Sequence, residues 1–212
     1  MSGFISWFLT SQSVLFEVSD KIEEVVSIQL HPKDASIGSK DVLRTNKILL
    51  EQTDAKDIAD NEEITLLSWG NAIVEKKTVD ASGVVLGASG TLNPAGDFKK
   101  TSKKLTWVSL PVLGSQFAPV RVQLVELDFL ITVESLEEGM DFDKVLRPCE
   151  ETWKITEGIG ECGLRSLVRG QTIQLNRRGY FRCDKPYESE ASPLILLAIP
   201  DGKEKGASKL ME

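Results

Sequence analysis

Residues 170–187 read GQTIQLNRRGYFRCDKPY and indicate the fold class more clearly than any other stretch of the chain. In a strand over 171–176, Ile173 and Leu175 face a core and Gln174 lies on the opposite face, because side chains alternate across a strand. The following Arg-Arg-Gly at 177–179 predicts the tip of a hairpin. The stretch therefore predicts two antiparallel strands joined by a tight turn.

Similar short runs of β-branched and aromatic residues occur along the whole chain, broken by Gly, Pro, Asn and Asp. Further candidate strands lie at 13–18, 25–30, 46–51, 63–68, 71–77, 83–88, 103–109, 119–126, 129–133, 179–184 and 194–199. Short helices or irregular loops are expected at 54–60 and 135–148, with one helical turn inside 161–168. We expect an all-β chain with short helices, closed into one or two small barrels, because an open sheet of so many strands would leave exposed edges.

A Pro- and Gly-rich stretch, LPVLGSQFAP at 110–119, predicts the crossing between two barrels. We expect a first barrel over 13–111, completed by a returning strand near 194–200, and a second barrel over 112–193. The charged end of the chain, 203–212, is expected to be a flexible tail.

The chain is acidic, with a formal net charge of −7 from 25 Lys and Arg against 32 Asp and Glu. This balance argues against a general nucleic-acid binder, because neutralising phosphates requires clustered cations. Two segments depart from the average: residues 97–104 read DFKKTSKK, and residues 165–185 hold six basic residues with Asp184 as their single acid. This distribution favours a local surface for RNA.

The sequence motifs of common enzymes are missing, since the chain has no Walker loop, no GxGxxG after a strand, no GxSxG and no HExxH. His31 is the single histidine, and Cys149, Cys162 and Cys183 lack paired spacing, so we predict no catalytic residue, metal site or cofactor. Unpaired cysteines indicate a reducing compartment, and the apolar N-terminus is too short to span a bilayer. We therefore expect a cytoplasmic protein without a membrane partner.

The first basic segment has two interpretations. It can be a solvated loop leading into a strand whose Leu105 and Trp107 fill the core. Alternatively, it binds RNA phosphates and offers the ring of Phe98 for stacking on a base. The candidate RNA-binding lysines are Lys99, Lys100 and Lys103.

The hairpin carries side chains that suit uracil, which presents an N–H donor between two carbonyl acceptors. The amide of Gln174 offers an acceptor and donors, and Arg177 offers donors only. An arginine directed at the O4 position would meet an amino group if cytosine replaced uracil, a mismatch of roughly 1–3 kcal/mol. Arg178 is a further candidate in the same turn. The alternative is an ordinary hairpin with a polar rim.

Six blocks in one order carry a family resemblance: HPKDASIG (31–38), KILLEQTDA (47–55), EEITLLSWGNAIV (62–74), LNPAGDFKKTSKKLTWV (92–108), the hairpin stretch, and LLAIPDG (196–202). Together they resemble the C-terminal anticodon-binding region of eukaryotic and archaeal-type glutamyl-tRNA synthetases. The resemblance implies two stacked β-barrels of the ribosomal-protein-L25-like type, one proximal and one distal to a class I catalytic domain. It also implies that an anticodon loop lies across both barrels.

The resemblance further implies roles for individual residues. In the related glutaminyl enzymes, the Gln and Arg of the matching hairpin motif contact the middle anticodon uridine, and these positions are Gln174 and Arg177 here. Lys99 and Lys100 fall where those enzymes read the third anticodon base. Asn71 matches a family Asn near the anticodon loop.

The ATP motifs of the family, of HIGH and KMSKS type, are missing from these residues. The resemblance thus implies that ATP and Mg²⁺ bind to a catalytic domain outside them, and that these residues alone form no glutamyl-adenylate. The expected partners are the tRNA(Glu) anticodon loop and, as a second class, other synthetases or a tRNA-binding scaffold protein.

Three alternatives stay open on the sequence. The closest is the same module of a glutaminyl-tRNA synthetase. A freestanding ribosomal-RNA binder would need one barrel and no second basic hairpin. A protein-interaction module of a synthetase complex would dock through the acidic N-terminal half.

Overall fold

The computed structural model describes residues 4–9, 12–30, 34–112 and 114–200; His31 and the predicted tail at 203–212 lie outside them. The described residues are mainly β, with a few short helices, as the sequence predicts. The helices are α1 (Gln52–Asp57) and α2 (Phe142–Val145), with 3-10 turns at Ala35–Ile37, Cys149–Glu151 and Cys162–Ser166. The strands are β1 (Phe4–Ile5), β2 (Trp7–Leu9), β3 (Ser13–Val18), β4 (Glu23–Gln29), β5 (Ser39–Thr45), β6 (Lys47–Glu51), β7 (Glu63–Leu66), β8 (Gly70–Val79), β9 (Val85–Asn93), β10 (Lys104–Leu105), β11 (Val108–Ser109), β12 (Val120–Leu127), β13 (Trp153–Gly160), β14 (Thr172–Leu175), β15 (Gly179–Lys185) and β16 (Leu194–Ile199).

Two seven-stranded sheets form the bulk of the fold. The first sheet has the order β10-β7-β8-β9-β3-β6-β11, and the second has the order β1-β14-β15-β16-β12-β13-β2. A separate two-stranded ribbon consists of β4 and β5. The chain passes from the first sheet to the second between β11 and β12.

Each large sheet curls so that its two edge strands belong to the same short segment of the chain. In the first sheet, the edge strands β10 and β11 are separated only by Thr106 and Trp107. In the second sheet, β1 and β2 occupy opposite edges and are separated only by Ser6. In each sheet, one short segment thus supplies both edge strands. This removes the exposed edges that a flat sheet would carry.

Each sheet encloses its own apolar core. Phe16, Ile48 and Ile64 are fully buried in the first core, where Leu105 and Trp107 also lie, as the sequence predicts. In the second core, Val122 and Leu194 are 1% and 0% exposed. Full burial of a side chain of this size contributes about 1.5–3 kcal/mol, so the two cores dominate the stability of the fold.

Four strand assignments differ from the expectations. The returning strand β16 pairs with β12 and β15 in the second sheet and so does not complete the first. The run FLITV at 129–133 forms no strand, and only Ile131 makes an isolated bridge, to Leu146. The strands β5 and β13 were not predicted, because exposed polar residues interrupt their apolar pattern.

The two sheets contact each other through a few polar links and a small apolar cluster. Lys40, on the β4–β5 ribbon, forms a half-buried ion pair with Glu161, which directly follows β13. Leu49 and Val108 of the first sheet pack against Ile159 of the second. These contacts place the β14–β15 hairpin next to helix α1, where the candidate site lies.

Candidate nucleic-acid interface

The β14–β15 hairpin places its charged residues at a tight turn. Ile173 and Leu175 are 2% and 0% exposed, whereas Gln174 is partly exposed on the other face, which confirms the predicted alternation. Arg177 has a φ of 62° and Gly179 a φ of 98°, both in the left-handed region that hairpin turns require. The turn therefore directs Arg177 away from its own strand.

The guanidinium of Arg177 binds two carboxylates on the first half of the chain. Its Nη1 donates to the two oxygens of Asp54 at 2.8 and 2.7 Å and to Glu51 Oε2 at 3.2 Å. The hydrogen bond from Arg177 to Asp54 is the largest influence that raises the pKa of the guanidinium above its usual value. Arg177 thus joins the hairpin of the second sheet to helix α1 beside the first.

The neighbouring turn residue has a different environment. The Arg178 guanidinium carbon lies 5.0 Å from the centre of the Trp7 ring, a cation–π contact worth about 0.5–1 kcal/mol at an exposed site. Arg178 itself is exposed, so its charge is accessible from solvent. The structure therefore brings two of the predicted arginines to one tip but gives them separate partners.

A buried polar network supports the basic loop at 94–103. Glu63 Oε1 accepts hydrogen bonds from the side-chain amides of Asn71 and Asn93, each at 2.9 Å. Thr65 Oγ1 donates to Asn71 Oδ1 at 2.8 Å. At Gly96 a Cβ atom would overlap the side chains of Glu63 and Asn71, so the loop can follow this path only with glycine there.

This network changes the role predicted for Asn71. The residue is 3% exposed and both ends of its amide are hydrogen-bonded inside the protein. It therefore cannot reach RNA in this conformation, and it acts by positioning the loop. The sequence could not distinguish the two roles, because an Asn beside a tryptophan suits a surface as well as a buried network.

The lysines of the loop divide into two groups. Lys103 Nζ forms an ion pair with Glu62 at 2.7 Å and also donates to the carbonyl of Asp57, so its charge is largely satisfied within the protein. Lys99 and Lys100 are exposed, and neither forms an ion pair with any described residue. Phe98 beside them is 57% exposed. The free cations and the free ring therefore lie together at the tip of the loop.

The hairpin tip and the basic loop meet at a cavity of about 250 Å³, here called the junction cavity. Its walls are Asp54 and Asp57 from α1, residues 102–105 and Arg177. The two basic segments that stand out in the sequence thus come together in space. Gln174 does not line this cavity, although it lies on the strand that leads to the tip.

Two more cavities lie near the junction cavity and share lining residues in sequence. The Trp69 cavity, of about 310 Å³, is lined by residues 65–70, Phe98 and Lys104, and it shares Lys104 with the junction cavity. An inter-sheet cavity of about 580 Å³ shares Leu67 and Ser68 with the Trp69 cavity, and Asn176 is among its lining residues. The rings of Trp69 and Trp107, which line these two cavities, lie 4.8 Å apart.

Sequence reasoning missed two residues of this site, Glu51 and Asp54. They lie more than a hundred positions before Arg177 in the chain, Glu51 at the end of the strand predicted at 46–51 and Asp54 at the start of the segment predicted as a short helix or loop. No local pattern could have linked them to the hairpin. Within the described residues, no group of three or more His, Cys, Asp or Glu side chains is arranged to hold a metal ion. No helix in the described part of the chain has the length and apolarity needed to cross a lipid bilayer.

Comparison with known proteins identifies the family. A family model described as tRNA synthetases class I (E and Q), anti-codon binding domain, matches residues 8–93, and a second model of the same description matches residues 104–184. The second match contains the hairpin up to Asp184, and the basic loop at 94–103 lies between the two matches.

Similar curated proteins agree with these matches. The cytoplasmic glutamate–tRNA ligase of Arabidopsis thaliana is 40% identical over 92% of this chain and 26% of its own length. The cytoplasmic glutamate–tRNA ligase of Saccharomyces cerevisiae is 38% identical over 82% of the chain and 23% of its own length. The bifunctional glutamate/proline–tRNA ligase of Drosophila melanogaster is 33% identical over 91% of the chain and 11% of its own length.

The chain therefore spans about a quarter of the length of the cytoplasmic ligases that it matches. Both domain matches cover strands of the described sheets, and together they include helix α1 and the hairpin up to Asp184. The chain belongs to the anticodon-binding domains of the class I tRNA synthetases for glutamate and glutamine.

Proposed function

We propose that this chain is the tRNA-recognition module of a cytoplasmic glutamate–tRNA ligase and that it binds the anticodon loop of tRNA(Glu). An anticodon-binding domain binds tRNA, and the relatives reported above are named glutamate–tRNA ligases. The observation that carries the proposal is the junction cavity, where the basic loop and the hairpin tip converge. In this proposal, ATP-dependent ligation belongs to the parent enzyme.

The cations of the junction cavity and those at the tip of the basic loop differ in their partners. At the junction cavity the cations have anionic partners: Arg177 binds Asp54 and Glu51, and Lys103 binds Glu62. A phosphate gains little there, whereas a base edge still finds hydrogen-bond donors. Arg177 therefore reads the middle anticodon uridine, together with Gln174 on the adjacent strand.

The tip of the basic loop has the opposite character. Lys99 and Lys100 are exposed and make no ion pair with a described residue, so they are available to bind RNA phosphates. The exposed ring of Phe98 offers a surface on which an unstacked base can lie. Arg178 adds an accessible cation at the hairpin, and Lys103 supports the loop from within.

A second class of partners is proposed on the same family evidence. Some relatives are bifunctional glutamate/proline–tRNA ligases, in which two synthetase activities share one polypeptide. We include other synthetases and a tRNA-binding scaffold protein among the partners of the parent enzyme.

The function is tested by binding RNA stem-loops that share one stem and differ only in the anticodon. The 212-residue chain should bind the loop with the glutamate anticodon more tightly than a loop with a scrambled anticodon, at one fixed salt concentration. Equal dissociation constants would contradict anticodon recognition. Tighter binding of the glutamine anticodon loop would replace the proposal with the glutaminyl alternative.

A further inference from the structure

Helix α1 is short but firmly attached, and this determines where its carboxylates lie. Gln52 exchanges two hydrogen bonds of 3.0 Å with the backbone of Val85 on β9. At the other end of the helix, Lys77 Nζ donates to the carbonyls of Ala55, Lys56 and Ile58. The helix that carries Asp54 is therefore held at both ends by strands of the first sheet.

Asp54 and Glu51 use only one side of the Arg177 guanidinium. Both carboxylates bind Nη1, and the side chains of both acids are 15% exposed. Neither Nη2 nor Nε of Arg177 donates to any described residue, and the Arg177 side chain is 44% exposed. One nitrogen is thus bound inside the protein, whereas the other two have no partner among the described residues.

We infer that Asp54, assisted by Glu51, is a positioning residue for anticodon recognition: it orients Arg177 so that Nη2 and Nε face the base. The inference rests on the proposed function. A flexible arginine at a hairpin tip could contact either a base or a phosphate. Binding one nitrogen to a carboxylate on a fixed helix restricts the guanidinium to one orientation, and a preorganised donor loses less entropy on binding.

The same carboxylates also influence which ligand is accepted. Asp54 and Glu51 carry two negative charges beside the single positive charge of Arg177. A phosphate in the junction cavity would be repelled by them, whereas the carbonyl oxygen of a base carries no net charge. The pair Asp54–Arg177 therefore favours reading a base over binding the RNA backbone, and it couples the second sheet to helix α1.

The experiment compares Asp54→Asn with Asp57→Asn. Asp57 lies on the same helix and lines the same cavity, but its carboxylate forms no ion pair with a described residue. Each variant and the unmodified chain are titrated with two RNA stem-loops, one with uridine and one with cytidine at the middle anticodon position. Urea unfolding of each protein confirms that it is folded.

A positioning role for Asp54 and a general charge effect predict different binding results for the two variants. Loss of a negative charge near RNA, by itself, tightens the binding of both loops in both variants. If Asp54 orients Arg177, Asp54→Asn lowers the preference for uridine over cytidine by about 5-fold or more, whereas Asp57→Asn leaves that preference unchanged. Asp54→Glu, which keeps the carboxylate, restores part of the preference.

The outcomes distinguish this inference from the proposed function. If the unmodified chain binds the uridine and cytidine loops equally, base reading at the hairpin is wrong. If the unmodified chain prefers uridine and Asp54→Asn retains the full preference, base reading stands and the positioning role of Asp54 is wrong. An equal loss of preference in Asp54→Asn and Asp57→Asn would also overturn the inference, because a general charge effect would explain it.

Discussion

At the scale of single residues, the cations of this surface differ in the charges around them. Arg177 and Lys103 are paired with carboxylates, whereas Lys99 and Lys100 are not paired with described residues. A paired cation directs hydrogen bonds, and an unpaired cation attracts phosphate from a distance. Paired and unpaired cations are both Lys or Arg in the sequence. Only the structure, which shows their carboxylate partners, distinguishes the two groups.

Replacing Lys99 and Lys100 with Ala should make tRNA binding less sensitive to salt. Each phosphate contact with single-stranded RNA contributes roughly −0.7 to the slope of log affinity against log salt concentration, so the slope should become less steep by roughly 0.7–1.4. Binding measured at four or more salt concentrations gives the slope.

The control for this pair is the double variant Lys21→Ala, Lys76→Ala. Both lysines are exposed and neither forms an ion pair with a described residue, so the net charge changes equally. The control should keep the original slope. Matching slopes in the two double variants would show that the basic loop does not bind phosphates.

At the scale of elements, alternation in the sequence predicts a strand only where one face is buried. In β14, buried Ile173 and Leu175 alternate with more exposed residues, and this strand was predicted correctly. In β13, Trp153 and Ile155 are 46% and 42% exposed, and Glu157 and Gly158 interrupt the short alternation that they begin, so the strand was not recognised. The run at 129–133 shows the converse. Its β-branched residues favour a strand, but the segment lies at the surface and pairs with no strand.

The segment at 129–133 follows its path because of contacts that no local pattern reveals. Arg147 donates to Asp128 Oδ2 at 2.9 Å and to the carbonyls of Phe129 and Glu151. Its hydrogen bond is the main cause that lowers the pKa of Asp128. These contacts tie the start of the segment to a residue 18 positions further along the chain, which no local pattern indicates.

Helix α1 should depend on Lys77 more than on its own sequence, because an isolated helix of six residues is unstable in water. Lys77→Met keeps an unbranched side chain but removes the donor to three carbonyls, so we expect a loss of about 1–2 kcal/mol in the free energy of unfolding. Urea denaturation measures this loss.

The adjacent Lys76 is exposed and provides the matched control, Lys76→Met. That change should alter the free energy of unfolding by less than about 0.5 kcal/mol. If both variants are equally stable, Lys77 does not hold the helix. In that case the position of Asp54 would need another explanation.

At the scale of the whole molecule, two curled sheets each enclose a core, and a few polar contacts join them. The number of strands and the need to cover edges predicted closed barrels, and the structure shows curled sheets in which one segment supplies both edge strands. The sequence did not reveal that residues 4–9 pair with both edges of the second sheet. Such pairing depends on partners far along the chain, and two- or three-residue strands carry too little pattern to be recognised.

Acid should destabilise the fold through carboxylates whose pKa is lowered in the folded state. Burial opposes ionisation of Glu62, but hydrogen bonds from Lys103 and the backbone of Ala59 outweigh it and bring its pKa below the ordinary value of 4.5. The unfolded chain therefore binds the proton first as pH falls. The stabilisation is complete above about pH 4.5 and is lost as pH decreases through the lower, folded value.

The variant Glu62→Gln isolates this contribution. Its free energy of unfolding should fall less steeply between about pH 5 and pH 3 than that of the unmodified chain, because the titrating group is missing. Urea titrations at several pH values measure the slope. The same slope in both proteins would mean that the Lys103–Glu62 pair does not contribute to acid sensitivity.

The central claim is that the hairpin reads the middle anticodon base, and binding by Arg177→Ala tests it most directly. The variant should lose roughly 1–3 kcal/mol with the uridine loop and much less with the cytidine loop, because the cytidine loop already lacks the contact. Gln174→Ala should act in the same direction, and the double variant should cost less than the sum if both residues address one base.

Arg178→Ala is the matched control at the neighbouring position, and it should affect both loops equally because a cation that binds phosphate carries no sequence information. The measurement is the difference in binding free energy between the uridine and cytidine loops for each protein. This difference should shrink in Arg177→Ala and stay constant in Arg178→Ala. Equal losses for the two loops in Arg177→Ala would contradict it, since Arg177 would then bind only the RNA backbone.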